Sequence, residues 1–472
     1  MQIISFFYGL LWGDLFSIPL PGGDSIGISL MILLLIPRGI YFTIRTKVMP
    51  IRMFPEMLRI SVEKRTGKNH TAISGLQALI VSTATRVGMG NLVGVTAAVS
   101  VGGAGAVFWM WITAIIGSST AYIEGTLAQL HKKEDPLYGG YRGGHAYYIH
   151  NFFTKGKVKR YSIIAVLFAI SGLICWGGIS QVISNSVSSA FSNAFNIDPL
   201  ISTVILVALA AVIVLRKNAT VKVLDVIVPI MAAFYFIIAI YIIIKNAALL
   251  PDMFIRIFEE AFGLRQVAGG TLGAALLNGV KRGLFSNEAG SGSAPCAAAA
   301  ADVDHPAKAG IFQAFGVIID TLVICSCTAF IMLLAPESVT SGLEGMALLQ
   351  EAMRYHFGNS GVIFIAVTLW LFSFSTFIGI LFYARSNVAY LFGDNWASQT
   401  GYKIFALIML FIGGLATYTF VWDLGDIGIG LMTVFNIITI LPMGGQALKS
   451  LDEYNQLRKD KKKRHEEFKN LH

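Results

Sequence analysis

Long apolar runs separated by short polar or charged stretches dominate the chain. Eleven of them approach or exceed the roughly 20 residues that a helix needs to cross hydrocarbon. They are 25–44, 74–99, 104–130, 161–190, 199–215, 223–244, 264–285, 310–334, 361–384, 403–420 and 426–448. The pattern predicts an all-α polytopic membrane protein with about 11 transmembrane helices. The first run is preceded by an apolar segment that Asp14 and Asp24 interrupt and that lacks a basic flank, so it reads as surface-lying rather than as a cleavable signal.

Composition agrees with the pattern. Charged residues make up 13% of 472 and hydrophobic residues 55%, whereas a soluble domain carries about 25% charge. The net charge of +9 would suggest nucleic acid in a soluble protein. Its distribution suggests topology instead. With the N-terminus outside and the C-terminus in the cytoplasm, 30 of the 36 Lys and Arg fall in cytoplasmic segments. That places the chain as a multi-pass plasma-membrane protein with no nucleic-acid partner. Residues 46–70 read as an amphipathic stretch on the inner leaflet and 449–472 as a basic cytoplasmic tail. The four cysteines show no metal-ligand or disulfide spacing.

Setting the first span aside leaves ten, which divide into an inverted repeat of five plus five. The domain reading is an N-terminal segment 1–73, a first repeat 74–245, a second repeat 246–448 and the tail. The first helix of each repeat is Gly-rich, polar at its centre and contains Gly-x-Gly. In the first, Val87-Gly88-Met89-Gly90-Asn91 stands mid-span. Two glycines two apart permit unwinding. Unwound backbone at membrane depth is tolerated only where it lines a cavity or ligand. Its freed N–H groups favour a carboxylate and its freed carbonyls favour Na⁺.

Other polar residues inside spans are candidates for the same site. Arg86 adjoins the break, with Glu124 or Glu288 as an ion-pair partner or gate. Asp320 is a cation ligand, a proton carrier or a helix-tying acceptor. Ser373, Ser375 and Thr376 either bond back to their own helix or coordinate Na⁺ through hard oxygens.

At these residues the sequence resembles the alanine/glycine:cation symporters. The matching stretches are Arg-Val-Gly-Met-Gly-Asn-Leu-Val-Gly-Val (86–95), GGAGAVFWMW (102–111) and Gly-Val-Lys-Arg-Gly-Leu-Phe-Ser-Asn-Glu-Ala-Gly-Ser-Gly-Ser-Ala-Pro (279–295). His305-Pro306, and Ile319-Asp320-Thr321 with Cys325, also match. The resemblance implies a LeuT-like fold with one extra N-terminal helix. It implies Na⁺-coupled uptake of a small neutral amino acid (alanine, glycine, serine or glutamine) with no cofactor and a monomeric protein. By that analogy Gly88, Met89, Gly90 and Asn91 hold the amino acid backbone. Gln181, Ile183, Thr376 and Ile380 then line the substrate pocket. Carbonyls of Ala84 and Val87, with Ser375 and Thr376, would hold Na⁺.

Several positions depart from the family pattern. Ile183 stands where the family has Gln, Ile380 where it commonly has Trp, Arg385 where a carboxylate is expected, and His145 in place of the usual Pro. Losing an amide and an indole reshapes a side-chain pocket, so the departures bear on which amino acid is read. H⁺ coupling, or a non-transporting sensor on the same fold, are the alternative readings. A membrane enzyme would need a nucleophile–base or metal constellation, and the eight scattered His supply none.

Overall fold

The computed structural model describes residues 2–19, 25–61, 73–74, 88–155, 162–216, 221–264 and 271–470. Helix α1 (Gln2–Trp12) leads into a hairpin of β1 (Asp14–Pro19) and β2 (Ser25–Ser29). The first apolar run is therefore split. Its first five residues are strand, and helix α2 (Leu30–Arg45) begins only after Ser29, whose hydroxyl accepts the Ile32 N–H at 3.3 Å. A short amphipathic helix, α3 (Phe54–Ser61), follows.

The core is built from α4 (Gly90–Gly102), α5 (Gly105–Leu130), α6 (His145–Thr154), α7 (Ile163–Phe195), α8 (Pro199–Val214), α9 (Val221–Lys245) and α10 (Leu250–Ala261). It continues with α11 (Leu272–Asn287), α12 (Pro295–Ala300), α13 (Pro306–Leu333), α14 (Gly345–Phe357), α15 (Asn359–Phe392), α16 (Trp396–Leu415) and α17 (Tyr418–Asn470). Among the described residues six helices are long and apolar enough to cross a membrane: α5, α7, α13, α15, α16 and α17. A seventh is counted if Ile230–Lys245 and Ala247–Ala261, bent by 74°, form one span. Within the expected run 264–285, α11 begins at Leu272 and runs on to Asn287, after which the chain leaves helical geometry until Pro295. The last run and the tail are one continuous helix rather than two.

Small residues set how closely these helices approach. A Cβ on Gly178 of α7 would lie 2.5 Å from the Gly425 nitrogen of α17, and one on Gly428 would lie 2.4 Å from the Cys175 Cα. Elements five apart in the proposed repeat also pack together: α4 on α11, α5 on α13, α7 on α15 and α8 on α16. Ile201, Val204, Ile205, Ile230, Phe234, Ile237 and Ile244 on α8 and α9 are exposed, the face a lipid-contacting helix presents.

Two faces of the molecule can be told apart by contact. Gly273, at the start of α11, lies beside Gly27 of the hairpin. At the other end of the bundle, α5 reaches the base of the tail, where the Tyr122 hydroxyl donates to Ala447 O at 3.0 Å. Lys281 and Arg282, grouped with the cytoplasmic charges in the sequence count, prove to contact α1 and the start of α17.

On the tail face α3 docks against α17 through a buried carboxylate. Glu56 accepts from Arg59 at 2.9 and 2.6 Å and from the Tyr454 hydroxyl at 2.5 Å, with Arg458 at 3.2 Å. Burial pushes the Glu56 carboxyl up, but the Arg59 and Tyr454 hydrogen bonds and the Arg458 charge outweigh it and hold the group below the usual carboxylate range. A depressed carboxyl stabilises docking above its undocked pKa and loses that stabilisation as pH falls through its docked pKa. Loss of a buried hydrogen-bonded acceptor costs about 1–3 kcal/mol, so Glu56→Gln should raise the undocked population roughly tenfold or more. Limited trypsinolysis after Arg458 at pH 8 measures this, and an unchanged rate contradicts the latch.

Candidate functional site

The site begins where α4 begins. The Gly88 N–H donates to Asn91 Oδ1 at 2.9 Å, and the Asn91 N–H returns to Gly88 O at 3.3 Å. This is a side-chain cap formed in mid-sequence, the geometry expected of a helix starting inside a hydrophobic run. The next N–H, of Met89, donates to Thr376 Oγ1 on α15 at 3.2 Å. Gly90 is needed for closeness, since a Cβ there would stand 3.3 Å from the Ser286 Cα of α11. The backbone then widens into a π turn over Gly90–Gly94, a distortion frequent at functional sites.

Asn91 faces a second widened turn, Ile318–Cys325 within α13. Its Nδ2 donates to Asp320 Oδ1 at 2.7 Å, with Ser286 Oγ and Cys325 Sγ each at 3.2 Å. An amide has two hydrogens, so these contacts compete, and the charged acceptor at the shortest distance takes one. Ser286 Oγ lies 3.0 and 3.2 Å from the two Asp320 oxygens, and Thr321 Oγ1 lies 2.7 Å from Oδ2. Asn287 Nδ2 reaches Thr321 Oγ1 at 3.2 Å. Asp320 is fully buried. Of the roles open to it, the helix-tying acceptor is present in the structure, and the surrounding hydroxyls are hard oxygens suited to a cation.

The second break, between α11 and α12, is held around one peptide. Glu288 adopts left-handed backbone (φ 57) and ends α11, with its N–H on Leu284 O at 2.9 Å. Gly290 and Gly292 take φ +101 and +98, which their lack of a Cβ allows. The Gly290 N–H donates to Glu124 Oε2 of α5 at 3.1 Å. Its carbonyl accepts from Arg38 Nη1 of α2 at 3.2 Å and Asn436 Nδ2 of α17 at 3.0 Å. Asn436 also donates to Glu124 Oε1 and accepts from the Tyr148 hydroxyl at 2.8 Å.

Not every candidate joins this centre. Ala84, Arg86 and Val87 lie outside the described residues. Ser375 donates to Phe372 O at 2.8 Å, the self-bonded arrangement weighed against Na⁺ coordination. Gln181 packs its backbone against Gly413 of α16, away from both Gly90 and Gly290. Ile183 and Ile380 are buried, the latter one turn beyond Thr376. Among the described residues Glu124 accepts from Gly290 and Asn436 rather than from an arginine. Arg385 is drawn away from the site. It lies 3.7 Å from Asp135 and stacks over Phe382 and Tyr138.

One cluster was not anticipated from the sequence. Arg282 of α11 forms a two-point pair with Asp426 of α17 at 2.9 and 3.0 Å, and Lys281 stands 3.3 Å from the same carboxylate. Trp12 Nε1 donates to Asp426 O at 2.9 Å, Lys281 Nζ donates to the Tyr8 hydroxyl at 2.7 Å, and the Arg282 guanidinium lies 3.7 Å over Trp422. The available signal was Asp426 itself, an acid at the head of an apolar run. Asn436 and Arg38 carried the same signal as polar residues within runs.

The arrangement binds rather than reacts. The start of α4 and the end of the interrupted α11 lie side by side, with a buried carboxylate and hydroxyls between them. Among the described residues no group of three or more His, Cys, Asp or Glu side chains gathers to hold a metal. Comparison with known proteins agrees. The chain is 42% identical over 438 residues to a probable sodium/glutamine symporter of Bacillus subtilis, covering 92% of this chain and 90% of that one. It is 39% identical over 429 residues to an amino-acid carrier protein of the same organism, covering 90% and 89%. It is 33% identical over 438 residues to a sodium/alanine symporter of Methanococcus maripaludis, covering 92% and 96%. A crystal structure of a mutant Eremococcus coleocola manganese transporter superposes with TM-score 0.51 at 13% identity, over 82% of this chain and 81% of that one, a likeness of fold alone. The match to the sodium:alanine symporter family runs over residues 23–470, so this multi-pass membrane transporter belongs to that family.

Proposed function

We propose that the chain takes up a small neutral amino acid with Na⁺ by alternating access, on a LeuT-like core of eleven spans with the hairpin face outside. The observation that carries the reading is the meeting of the start of α4 with the end of the interrupted α11 at Gly90, Asn91 and Ser286. The packing of four of the five elements of the first half on their counterparts five along supports the inverted repeat. The N–H groups at the start of α4, held in this arrangement by Asn91 Oδ1 and Thr376 Oγ1, are donors that a substrate carboxylate would take over. Thr376, which already accepts from Met89, suits Na⁺ and links the substrate helix to α15. The oxygens of Asp320, Ser286 and Thr321 suit a second cation. Glutamine is the first substrate candidate. Ile380 in place of an indole leaves room for a longer side chain, and a relative at 42% identity bears a glutamine name.

Purified protein in liposomes with an inward Na⁺ gradient should accumulate labelled glutamine, with alanine, glycine and serine as the comparison set. Absence of Na⁺-stimulated uptake of all four sinks the reading. Uptake of alanine without glutamine overturns the substrate choice only. Thr376→Val leaves the Met89 N–H without its acceptor, at about 1–3 kcal/mol, and should raise the Na⁺ half-saturation roughly tenfold. An unaltered Na⁺ dependence assigns Thr376 to packing.

Arg282–Asp426 suits an outer gate, because it joins a moving half-helix to α17 on the hairpin face. Asp426→Ala strands a buried guanidinium and should cost about 3–5 kcal/mol in thermal stability, whereas the double change Arg282→Met, Asp426→Leu should recover much of it. Recovered stability without recovered uptake marks a gate. Recovery of both marks a structural pair.

A further inference from the structure

We propose that His145 binds a proton and thereby controls the opening of the tail-face half of the second broken helix. The inference rests on the alternating-access reading and adds a site to it. His145 is fully buried at the start of α6. Neither ring nitrogen makes a hydrogen bond among the described residues. Its Nε2 stands 3.7 Å from Glu124 Oε1, just beyond hydrogen-bond reach. The ring stacks on Phe168 of α7 at 5.1 Å with planes 13° apart, and it closes against the break itself, where a Cβ on Gly292 would lie 2.8 Å from the imidazole.

An imidazole with two unanswered nitrogens is costly to bury unless it serves a second arrangement. The carboxylate beside it is the one that accepts the Gly290 N–H. Charging His145 places a cation beside Glu124 Oε1, the oxygen that also accepts from Asn436, while Oε2 keeps the Gly290 N–H, so the imidazolium is held against the break in a buried place next to Arg38. The other groups around the ring do not substitute for Glu124. Arg38 of α2 is a like charge, Tyr148 on α6 donates to Asn436 of α17, and Cys296 of α12 lies beside Gly144 as a buried thiol. Burial pushes the imidazole down more than Glu124 pulls it up, and Arg38 pushes it further down.

The sign of the effect follows. A histidine depressed in the closed arrangement is neutral there, and it regains its ordinary range when the break opens to water. Protonation favours whichever arrangement has the higher pKa. Lowering the pH through about 6.5 therefore stabilises the arrangement in which α12 has separated from α5 and α6.

Cys296, native and buried on α12, reports that separation. A membrane-permeant maleimide is applied to the wild type and to His145→Gln at pH 7.5 and at pH 5.5, with the label at Cys296 read by peptide mass spectrometry. The ratio of the two rates cancels the thiol's own pH dependence. The ratio should rise at least threefold on acidification, and a flat ratio overturns the proposal. Imidazole C2–H exchange on the wild type gives the His145 midpoint without any variant. The midpoint should rise by half a pH unit or more when Na⁺ and glutamine are removed, and a midpoint insensitive to them overturns the switch. Sodium-driven uptake by the same wild-type preparation separates the two readings: uptake with a flat ratio removes the switch alone, whereas loss of uptake removes the transport reading.

Discussion

Every break in a membrane helix leaves backbone groups that hydrocarbon cannot satisfy. The Gly290 peptide is where this chain meets that constraint most fully. Its N–H goes to α5, and its carbonyl goes to α2 and α17. Three elements distant in sequence converge on one residue, and each bond to a charged group is of the stronger kind, about 1.5–3 kcal/mol. Remove Arg38 and the carbonyl keeps Asn436. Remove Glu124 and the Gly290 N–H loses its acceptor while Arg38 stays buried. The clamp is thus asymmetric, and Glu124 is its keystone. The first break uses a cheaper solution, in which Asn91 caps Gly88 from three residues away and borrows only Thr376 from outside.

Two borrowed contacts make the breaks more than local irregularities. Met89 to Thr376 ties the first broken helix to α15, and Asn91 with Ser286 ties both broken helices to Asp320 of α13. A cation at either place would strengthen a link that already exists. Differential affinity for two arrangements is what a coupled ion requires, and a site shared by elements that part on opening supplies it.

Much of this was legible in the sequence, for physical reasons that differ from residue to residue. The start of α4 was readable because Gly88, Gly90 and the polar Asn91 stand together inside an apolar run. The second was placed only by structure, because 279–295 is Gly- and Ser-rich throughout and the break falls on Glu288 to Gly292. The hairpin was missed because Ser25–Ser29 is as apolar as the helix it precedes. Period and hydropathy cannot separate a short apolar strand from a helix start. Arg282–Asp426 was missed because the residues are far apart in the chain and Lys281-Arg282 resembles a topology signal. Asp320 stood out as an ionisable residue within a span, but its partners Asn91 and Ser286 come from two other elements that no local pattern connects.

The charges left inside the bundle fall into two groups at opposite faces. Arg282, Lys281 and Asp426 hold α11 to α17 near the hairpin, and Arg38, Glu124 and Asn436 hold the break to α17 toward the tail. Both groups tie the same broken helix to α17. A buried pair can be opened only by hydrating both partners, which restores the solvation lost on burial and so makes opening affordable at the face where water enters. At the face that stays dry the same pair is expensive to part. Under the proposed cycle, water itself therefore couples the two faces, since hydrating one cluster leaves the other in low dielectric and closed. Asp320 belongs to neither group and keeps its hydroxyl and amide donors without water, so under the same cycle its ties to Asn91 and Ser286 would not depend on which face is hydrated.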